Sequence, residues 1–438
     1  MNLLKNIFKG DKVIWMIFLF LCLISIVEVF SAAATLTYKS GDHWAPITQH
    51  SAILMVGALL VVLMHNIPYK WFQVFPLFTY PVSVVLLVVV VALGLATGDR
   101  VNGAARWMTF MGFQFQPSEL AKMAVVIATA FILSKRQDEN GANPKAFKYI
   151  MILTGIVLLL IAPENLSTAL LLFTVVCMMM FIGRVAFKKL FGMLGILALV
   201  GAIGVGTLAV IPAKTWSEIP GLHRAVTWRN RIVGFTDKEE VPAAKFDIDK
   251  DAQVAHARIA VASSNLLGVG PGNSVQRDFL SQAFSDFIFA IVVEEMGLVG
   301  GFFVVFLYIC LLVRAGRIAQ KCDRTFPAFL VMGIALLLVS QALLNMMVAV
   351  GLFPVTGQPL PLISKGGTST IINCVYIGMI LSVSRYTAHL EELKEHDAKL
   401  QLEIIHTADS EAQAGVEPTS KALNSDATFE DEEDENSD

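Results

Sequence analysis

Charge is scarce in this chain. Asp, Glu, Lys and Arg supply 16% of its 438 residues, against roughly 25% in an ordinary soluble domain, while 55% are hydrophobic. That shortage excludes a water-soluble globule: too little polar surface exists to cover the apolar bulk, so lipid must be the solvent. Cysteine is scarce too. Cys22, Cys177, Cys310 and Cys374 fall inside apolar runs and Cys322 in a loop. No CxxC or Cys/His spacing joins them, so neither a disulfide framework nor a zinc site is encoded. The stretch Gly268-Val269-Gly270-Pro271-Gly272 has no strand before it and no Lys-Ser/Thr ending, which excludes a nucleotide phosphate loop. No period of 20–50 residues marks a repeat array, and nothing points to nucleic acid.

What the chain has in abundance is apolar runs. A spanning helix needs about 20 mostly apolar residues. Ten such runs occur, at roughly 13–33, 51–66, 76–97, 118–134, 149–162, 168–183, 190–211, 287–313, 327–350 and 368–384. The expected fold class is an all-α polytopic membrane protein of about ten transmembrane helices. The first run follows Lys5, Lys9 and Lys12 and ends in Ser31-Ala32-Ala33-Ala34, like a cleavable signal. Its apolar stretch of about 20 residues exceeds the usual 7–15 of such signals and predicts an uncleaved span.

With the N-terminus inside, the cytoplasmic loops hold Lys70; Lys135, Arg136, Lys145 and Lys148; Arg184, Lys188 and Lys189; and Arg314, Arg317, Lys321 and Arg324. The short opposite loops hold only Lys39, Arg100, Arg106 and Lys365. Lys and Arg enrich short cytoplasmic loops, so both termini are expected in the cytoplasm. The long loop at about 212–284, between spans seven and eight, is then extracytoplasmic, and 225–235 and 253–267 within it read as short helices at the membrane surface. From Tyr386 onward there are 16 acidic and 3 basic residues, whereas the other 385 hold 20 acidic and 30 basic. Two domains follow: a membrane body, 1–385, and an acidic cytoplasmic tail, 386–438. The tail opens as a weak amphipathic helix (Leu390, Leu393, Leu400, Ile404). Its acidic end cannot bury enough apolar surface to fold and is expected to be disordered.

Polar groups at or inside the hydrocarbon cost energy and mark function by default. Four clusters sit at the outer ends of helices in this orientation. In the first, Arg106-Trp107 precede Gln116-Pro117-Ser118-Glu119; Pro117 suits a helix start, and Glu119 and Lys122 fall i, i+3 on one face. A self-neutralised pair beside an interfacial tryptophan reads equally well. The second, Pro163-Glu164-Asn165-Leu166-Ser167-Thr168, reads foremost as a capped turn. The third runs from Gly268–Ser274 to Ser285-Asp286-Phe287 and Glu294-Glu295. Asp286 sits where the polar loop turns apolar; low dielectric would raise its pKa and a nearby cation would lower it, and either poises a carboxylate as a base. The alternative is an N-cap of span eight. On an ideal helix Glu294 projects about 80° and Glu295 about 180° from Asp286, so one pocket cannot take all three. The fourth, Ser364-Lys365-Gly366-Gly367-Thr368-Ser369, leads into span ten, whose N-terminus suits an anion such as phosphate or an ordinary capped turn.

In order along residues 10–385, six segments closely resemble the SEDS (shape, elongation, division and sporulation) family: Asn102-Gly103 to Arg106-Trp107, Gln116–Glu119 with Lys122, Gly270–Ser274, Ser285–Ala290, Glu294–Gly297 and Leu362–Ser369. The resemblance implies a ten-span glycosyltransferase that polymerises lipid II, the lipid-linked peptidoglycan precursor, on the outer face of a bacterial cytoplasmic (inner) membrane. It implies partnership with a class B penicillin-binding transpeptidase and with other division or elongation proteins. It makes Asp286 the catalytic aspartate. It makes Arg106, Glu119, Lys122, Arg231, Gln253, Glu295, Ser364, Lys365, Gly366, Gly367 and Ser369 the substrate-binding set. The wording around Gly270–Ser274 and the long tail favour division, at the septum, over elongation. Four positions depart from the family pattern: Phe284 stands where His is frequent, Lys365 where Tyr is common, Ser264-Asn265 where Gly-Gly is usual, and Glu164 where Gln-Pro-Asp or a close variant is usual.

The implied reaction needs no organic cofactor, because the lipid pyrophosphate already activates the donor sugar. No metal ligand set is encoded, although a divalent cation could arrive bound through substrate phosphates. Attack of the acceptor's GlcNAc 4-hydroxyl on the donor's MurNAc anomeric carbon, with inversion, calls for a base and for cations at the leaving group. Asp286 is the expected base; Arg106 and Lys122, with Lys365 and the start of span ten, would meet the pyrophosphate, and Glu119 would hold Lys122. Two rivals stand beside this. A flippase would also use intramembrane charge such as Glu119 and Lys122, though the clusters gather at one membrane side. A non-catalytic scaffold would act through the long loop and the tail.

Overall fold

The computed structural model describes residues 9–32, 44–97, 107–110, 113–138, 141–210, 226–229, 248–280 and 284–413. The ten apolar runs become ten helices: α1 Lys12–Ala32, α2 Ala45–Asn66, α3 Phe75–Thr97, α4 Pro117–Lys135, α5 Pro144–Ile161, α6 Leu166–Ile182, α7 Phe187–Val210, α9 Ile288–Lys321, α10 Thr325–Ala349 and α11 Gly367–Gln413. Among the described residues nine are long and apolar enough to cross a membrane, and α6 is the shorter tenth. The chain is an all-α polytopic membrane protein. In the long loop, α8 covers Ile248–Ser263, beginning and ending earlier than the expected 253–267. Of the other expected loop helix, 226–229 is helical and the rest lies outside the described residues. An antiparallel ribbon of β1 (Met108–Phe110) and β2 (Phe113–Phe115) leads into α4.

Local chemistry sets the helix starts. Asp11 Oδ1 accepts from the backbone N–H groups of Val13 (2.9 Å) and Ile14 (3.2 Å) at the head of α1. Pro117 and Pro144 open α4 and α5, where a backbone N–H would have no helical partner. Asn165 caps α6 by accepting from Thr168 N at 3.2 Å. Small residues let the central helices close in: a Cβ at Gly333 of α10 would lie 2.5 Å from Met179 Cε and 3.0 Å from Val126 Cγ1. Close approach of this kind replaces the hydrophobic drive that lipid cannot supply. As a result α4 and α10 are largely enclosed, whereas α7 faces outward along nearly all its length.

Helix α9 is broken at Gly297, whose φ of 69° is open to glycine at little cost. The loop segment Asn265–Gly270 fills the break. Its carbonyls at Asn265 and Leu266 accept from Leu298 N (3.1 Å) and Val299 N (3.2 Å), and its N–H groups at Val269 and Gly270 donate to Glu294 O (3.0 Å) and Glu295 O (2.9 Å). Backbone groups freed in an apolar setting cost several kcal/mol unless paired, and this exchange pairs all four. The Asn265 contact uses only backbone, so Asn can stand where the family usually has glycine.

The chain divides into two compact units, Met1–Thr387 and Ala388–Asp438. In the second, residues 388–413 are helical with Leu393, Leu400 and Ile404 exposed, and the acidic run lies outside the described residues.

Candidate active site

Lys122 points from α4 into the protein interior and is fully buried. Its ammonium donates to Glu119 Oε1 and to Gln341 Oε1 of α10, both at 2.8 Å. An ammonium has three N–H groups, so one is left over. The i, i+3 pair expected from the sequence is therefore real, and it is completed by an amide from another helix. Gln341 Nε2 in turn donates to Pro359 O at 3.0 Å.

Asp286 lies in the turn before α9, half-buried. Phe287, not Asp286, occupies the N-cap position. Ser285 Oγ donates to Asp286 Oδ1 at 3.0 Å. The Asp286 carbonyl accepts from Asn345 Nδ2 at 2.9 Å, and the same amide donates to Gln358 O at 2.8 Å. Ser364 Oγ donates to Ser285 O (2.7 Å) and accepts from Leu360 N (2.8 Å), locking the fourth cluster against the turn that carries Asp286. Between them Leu362 adopts φ 66° while buried. A non-glycine residue there costs of order 1–2 kcal/mol, so the surrounding bonds hold this turn against its own preference.

The remaining fourth-cluster residues start α11. Lys365 N donates to Phe284 O at 2.9 Å and its ammonium lies 5.6 Å from the Phe284 ring centroid. Burial holds the Lys365 ammonium below the ordinary lysine pKa. Ser369 Oγ donates to Gly366 O at 3.3 Å, and a Cβ at Gly366 would lie 2.3 Å from Ser369 Oγ. Gly367 passes close to Gln114 O of β2, and Gln116 N donates to Thr368 Oγ1 at 3.3 Å. Gln358 Nε2 reaches Thr168 Oγ1 at 2.6 Å. Members of all four clusters are thus joined through one set of hydrogen bonds around α10 and the 358–369 segment.

Glu295 and Glu294 are engaged elsewhere. Glu295 accepts from Gly272 N (2.9 Å), Ser274 N (3.2 Å) and Ser31 Oγ of α1, with Arg277 Nη1 at 3.9 Å. Glu294 accepts from Val275 N (3.0 Å), Gln276 N (3.3 Å) and Ser274 Oγ. The glycine turn is folded around these two carboxylates. Gln253 lies half-buried on α8, while Arg106 and Arg231 lie outside the described residues. Sequence reasoning passed over Gln341, Asn345 and Gln358. The signal was present: two amides, i and i+4, inside the apolar run 327–350.

Between α3, α4 and α5 lies a small, shallow cleft walled by Leu87, Val90, Val91, Leu160 and Ile161 and rimmed by Ser118, Glu164 and Asn165.

A polytopic helical bundle with a buried lysine–carboxylate pair and a turn-borne aspartate, knitted together at the ends of its helices, defines a membrane-embedded polar site. Comparison with known proteins sharpens the class. The model of the FtsW/RodA/SpoVE family of cell cycle proteins matches residues 11–389, and the chain belongs to that family. A protein of Geobacter sp. (strain M18) named probable peptidoglycan glycosyltransferase FtsW is 31% identical over 379 residues, covering 85% of this chain and 96% of that one. A Pseudomonas fluorescens (strain SBW25) protein of the same name is 31% identical over 394 residues, covering 87% and 90%. Among solved structures, one described as the structural coordination of polymerization and crosslinking by a peptidoglycan synthase complex contains a chain with TM-score 0.66 and 25% identity, covering 86% of this chain and 98% of that chain. The rod shape determining protein RodA of Thermus thermophilus shares the fold, with TM-score 0.60 at 24% identity, covering 87% and 98%.

Proposed function

We propose that this protein is a peptidoglycan glycosyltransferase that polymerises lipid II on the outer face of a bacterial cytoplasmic membrane, working with a class B penicillin-binding transpeptidase. The observation that carries the reading is the placement of Asp286: a half-buried carboxylate on a turn clamped by Ser364 and Asn345, with Lys365 fastened to Phe284 two residues before it. Asp286 takes the proton of the acceptor 4-hydroxyl as that oxygen attacks the donor's anomeric carbon. The departing lipid pyrophosphate meets the positive charge of Lys122 and Lys365 and the N-terminal turn of α11, with Arg106 and Arg231 as further cations; Gln253, Gly366, Gly367 and Ser369 contact the sugars and phosphates. The departing pyrophosphate supplies the driving force, and no organic cofactor is called for.

Names carried by the relatives favour division over elongation, and hence the septum. The deciding experiment gives the purified protein, with its transpeptidase partner, labelled lipid II in vesicles. Glycan chains that vanish in Asp286→Asn, at unchanged protein level, support the transferase. Translocation without polymer would establish the flippase; neither would leave the scaffold. A reporter fused into the 212–284 loop tests the orientation, since a cytosolic loop puts the site on the wrong side.

A further inference from the structure

Helix α10 carries two amide side chains inside its apolar run, Gln341 and Asn345, exposed to only 2% and 1%. A buried amide without partners costs roughly 2–7 kcal/mol, so an apolar residue would serve packing alone better. Gln341 spends both ends of its amide on the site and Asn345 its amide N–H groups, the Asn345 Oδ1 having no hydrogen-bond partner among the described residues. Gln341 accepts from Lys122 Nζ at 2.8 Å and donates to Pro359 O at 3.0 Å. Asn345 donates to Asp286 O at 2.9 Å and to Gln358 O at 2.8 Å. These partners also fix which end of each amide is oxygen: a lysine ammonium requires an acceptor, and carbonyls require a donor. The two residues are one helical turn apart, about 6 Å along the axis. One side chain therefore holds the cation and the next holds the backbone of the aspartate, while adjacent carbonyls of the 358–359 segment tie the pair together.

We infer that Gln341 and Asn345 are positioning residues of the proposed transferase site, with α10 acting as the ruler that sets the separation between the Lys122 ammonium and Asp286. The inference rests on that reading of the site. Neither amide touches the reacting atoms: Gln341 acts through Lys122, and Asn345 through the Asp286 turn. Misplacing a reacting group by about 1 Å can cost on the order of 100-fold in rate, so the effect falls on kcat and leaves substrate capture largely intact.

The test uses the full-length protein reconstituted with its transpeptidase partner and labelled lipid II. Gln341→Met and Asn345→Leu keep side-chain volume and remove the hydrogen-bonding groups. Each is expected to lower kcat by about 10- to 100-fold with KM within about twofold, while the protein stays folded with a thermal midpoint below the parent's, since each leaves a buried carbonyl unpaired. Gln341→Glu, which keeps an oxygen at the Lys122 ammonium, should recover a measurable part of the loss. Full kcat in either isosteric variant overturns the assignment. So does a loss that follows unfolding and is equal in Gln341→Met and Gln341→Glu, because it marks the amide as mere structure. Asp286→Asn and Lys122→Met are run in parallel. If both stay active, the transferase site itself is wrong; if they are dead while the α10 variants are normal, only the ruler fails.

Discussion

The ammonium of Lys365 sits 5.6 Å from the centre of the Phe284 ring, and the backbone N–H of the same lysine donates to the Phe284 carbonyl. These are two of the positions at which the chain departs from the family pattern, and they touch. A ring face attracts a cation by its quadrupole, so phenylalanine and lysine make a compatible pair where other residues are usual. The pair fastens the start of α11 to the turn carrying Asp286.

That lysine should be visible in alkaline stability. Burial depresses its pKa in the folded protein below the unfolded value near 10.5. Between the two values the unfolded chain holds more protons, so stability rises with pH through that window, and at neutral pH the cost of the buried charge is fully present. Lys365→Met should flatten the rise in thermal midpoint on the acid side of pH 10.5 and add stability at neutral pH. An unaltered slope in the variant would show that the group does not titrate as its burial requires.

The Glu119–Lys122 pair makes a second test. Breaking a buried ion pair from one side strands a charge, typically at a cost of about 3–5 kcal/mol, whereas replacing both partners by uncharged groups of similar size is often nearly neutral. Glu119→Gln alone should therefore destabilise the protein in detergent by about that amount. The double variant Glu119→Gln with Lys122→Met should recover most of the loss and remain inactive. Equal thermal midpoints for the single and the double variant would mean that Lys122 is not charged in the folded state.

Much of this fold was readable from sequence because its signals are local. Ten apolar runs became ten helices, Pro117 opened α4, Asn165 capped α6, and Glu119 met Lys122 one turn away. The unread parts depend on partners distant in sequence. Nothing near Gly297 says that residues 265–270 will fill the break in α9, and nothing near Glu295 says that it will gather N–H groups from 21 and 23 residues upstream. The resemblance placed Glu295 among the substrate contacts; the bonds it makes in the structure run to the glycine turn, Ser31 and Arg277. Gln341 and Asn345 looked like isolated polar residues until the 358–359 segment folded back over them.

The break in α9 predicts unequal costs for two glycines of positive φ. At Gly272 (φ 84°) a Cβ would meet nothing within 4 Å, so alanine costs only the backbone preference, about 1–2 kcal/mol. At Gly297 (φ 69°) a Cβ would lie 2.4 Å from Gly268 N and from Leu266 O, which are backbone atoms that cannot swing aside. Gly297→Ala should therefore lose at least about twice the stability of Gly272→Ala and detach the 265–270 segment, read as faster amide exchange at Val269 and Gly270. Comparable thermal midpoints for the two variants would contradict the filled break.

Glu295 bears the most specific expectation for the loop. Both of its oxygens accept, one from Gly272 N, the other from Ser274 N and Ser31 Oγ, with Arg277 at its edge. Glutamine has the same shape but only one acceptor oxygen, and its amide nitrogen would face a backbone N–H wherever it is placed. Glu295→Gln should therefore loosen residues 268–280, seen as more rapid proteolysis and amide exchange there, while the Lys122–Gln341 side of the site is undisturbed. Ser31→Ala should produce a weaker version of the same loosening. If Glu295 instead contacts substrate, the exchange pattern of the loop stays as in the parent protein and only the response to lipid II concentration changes.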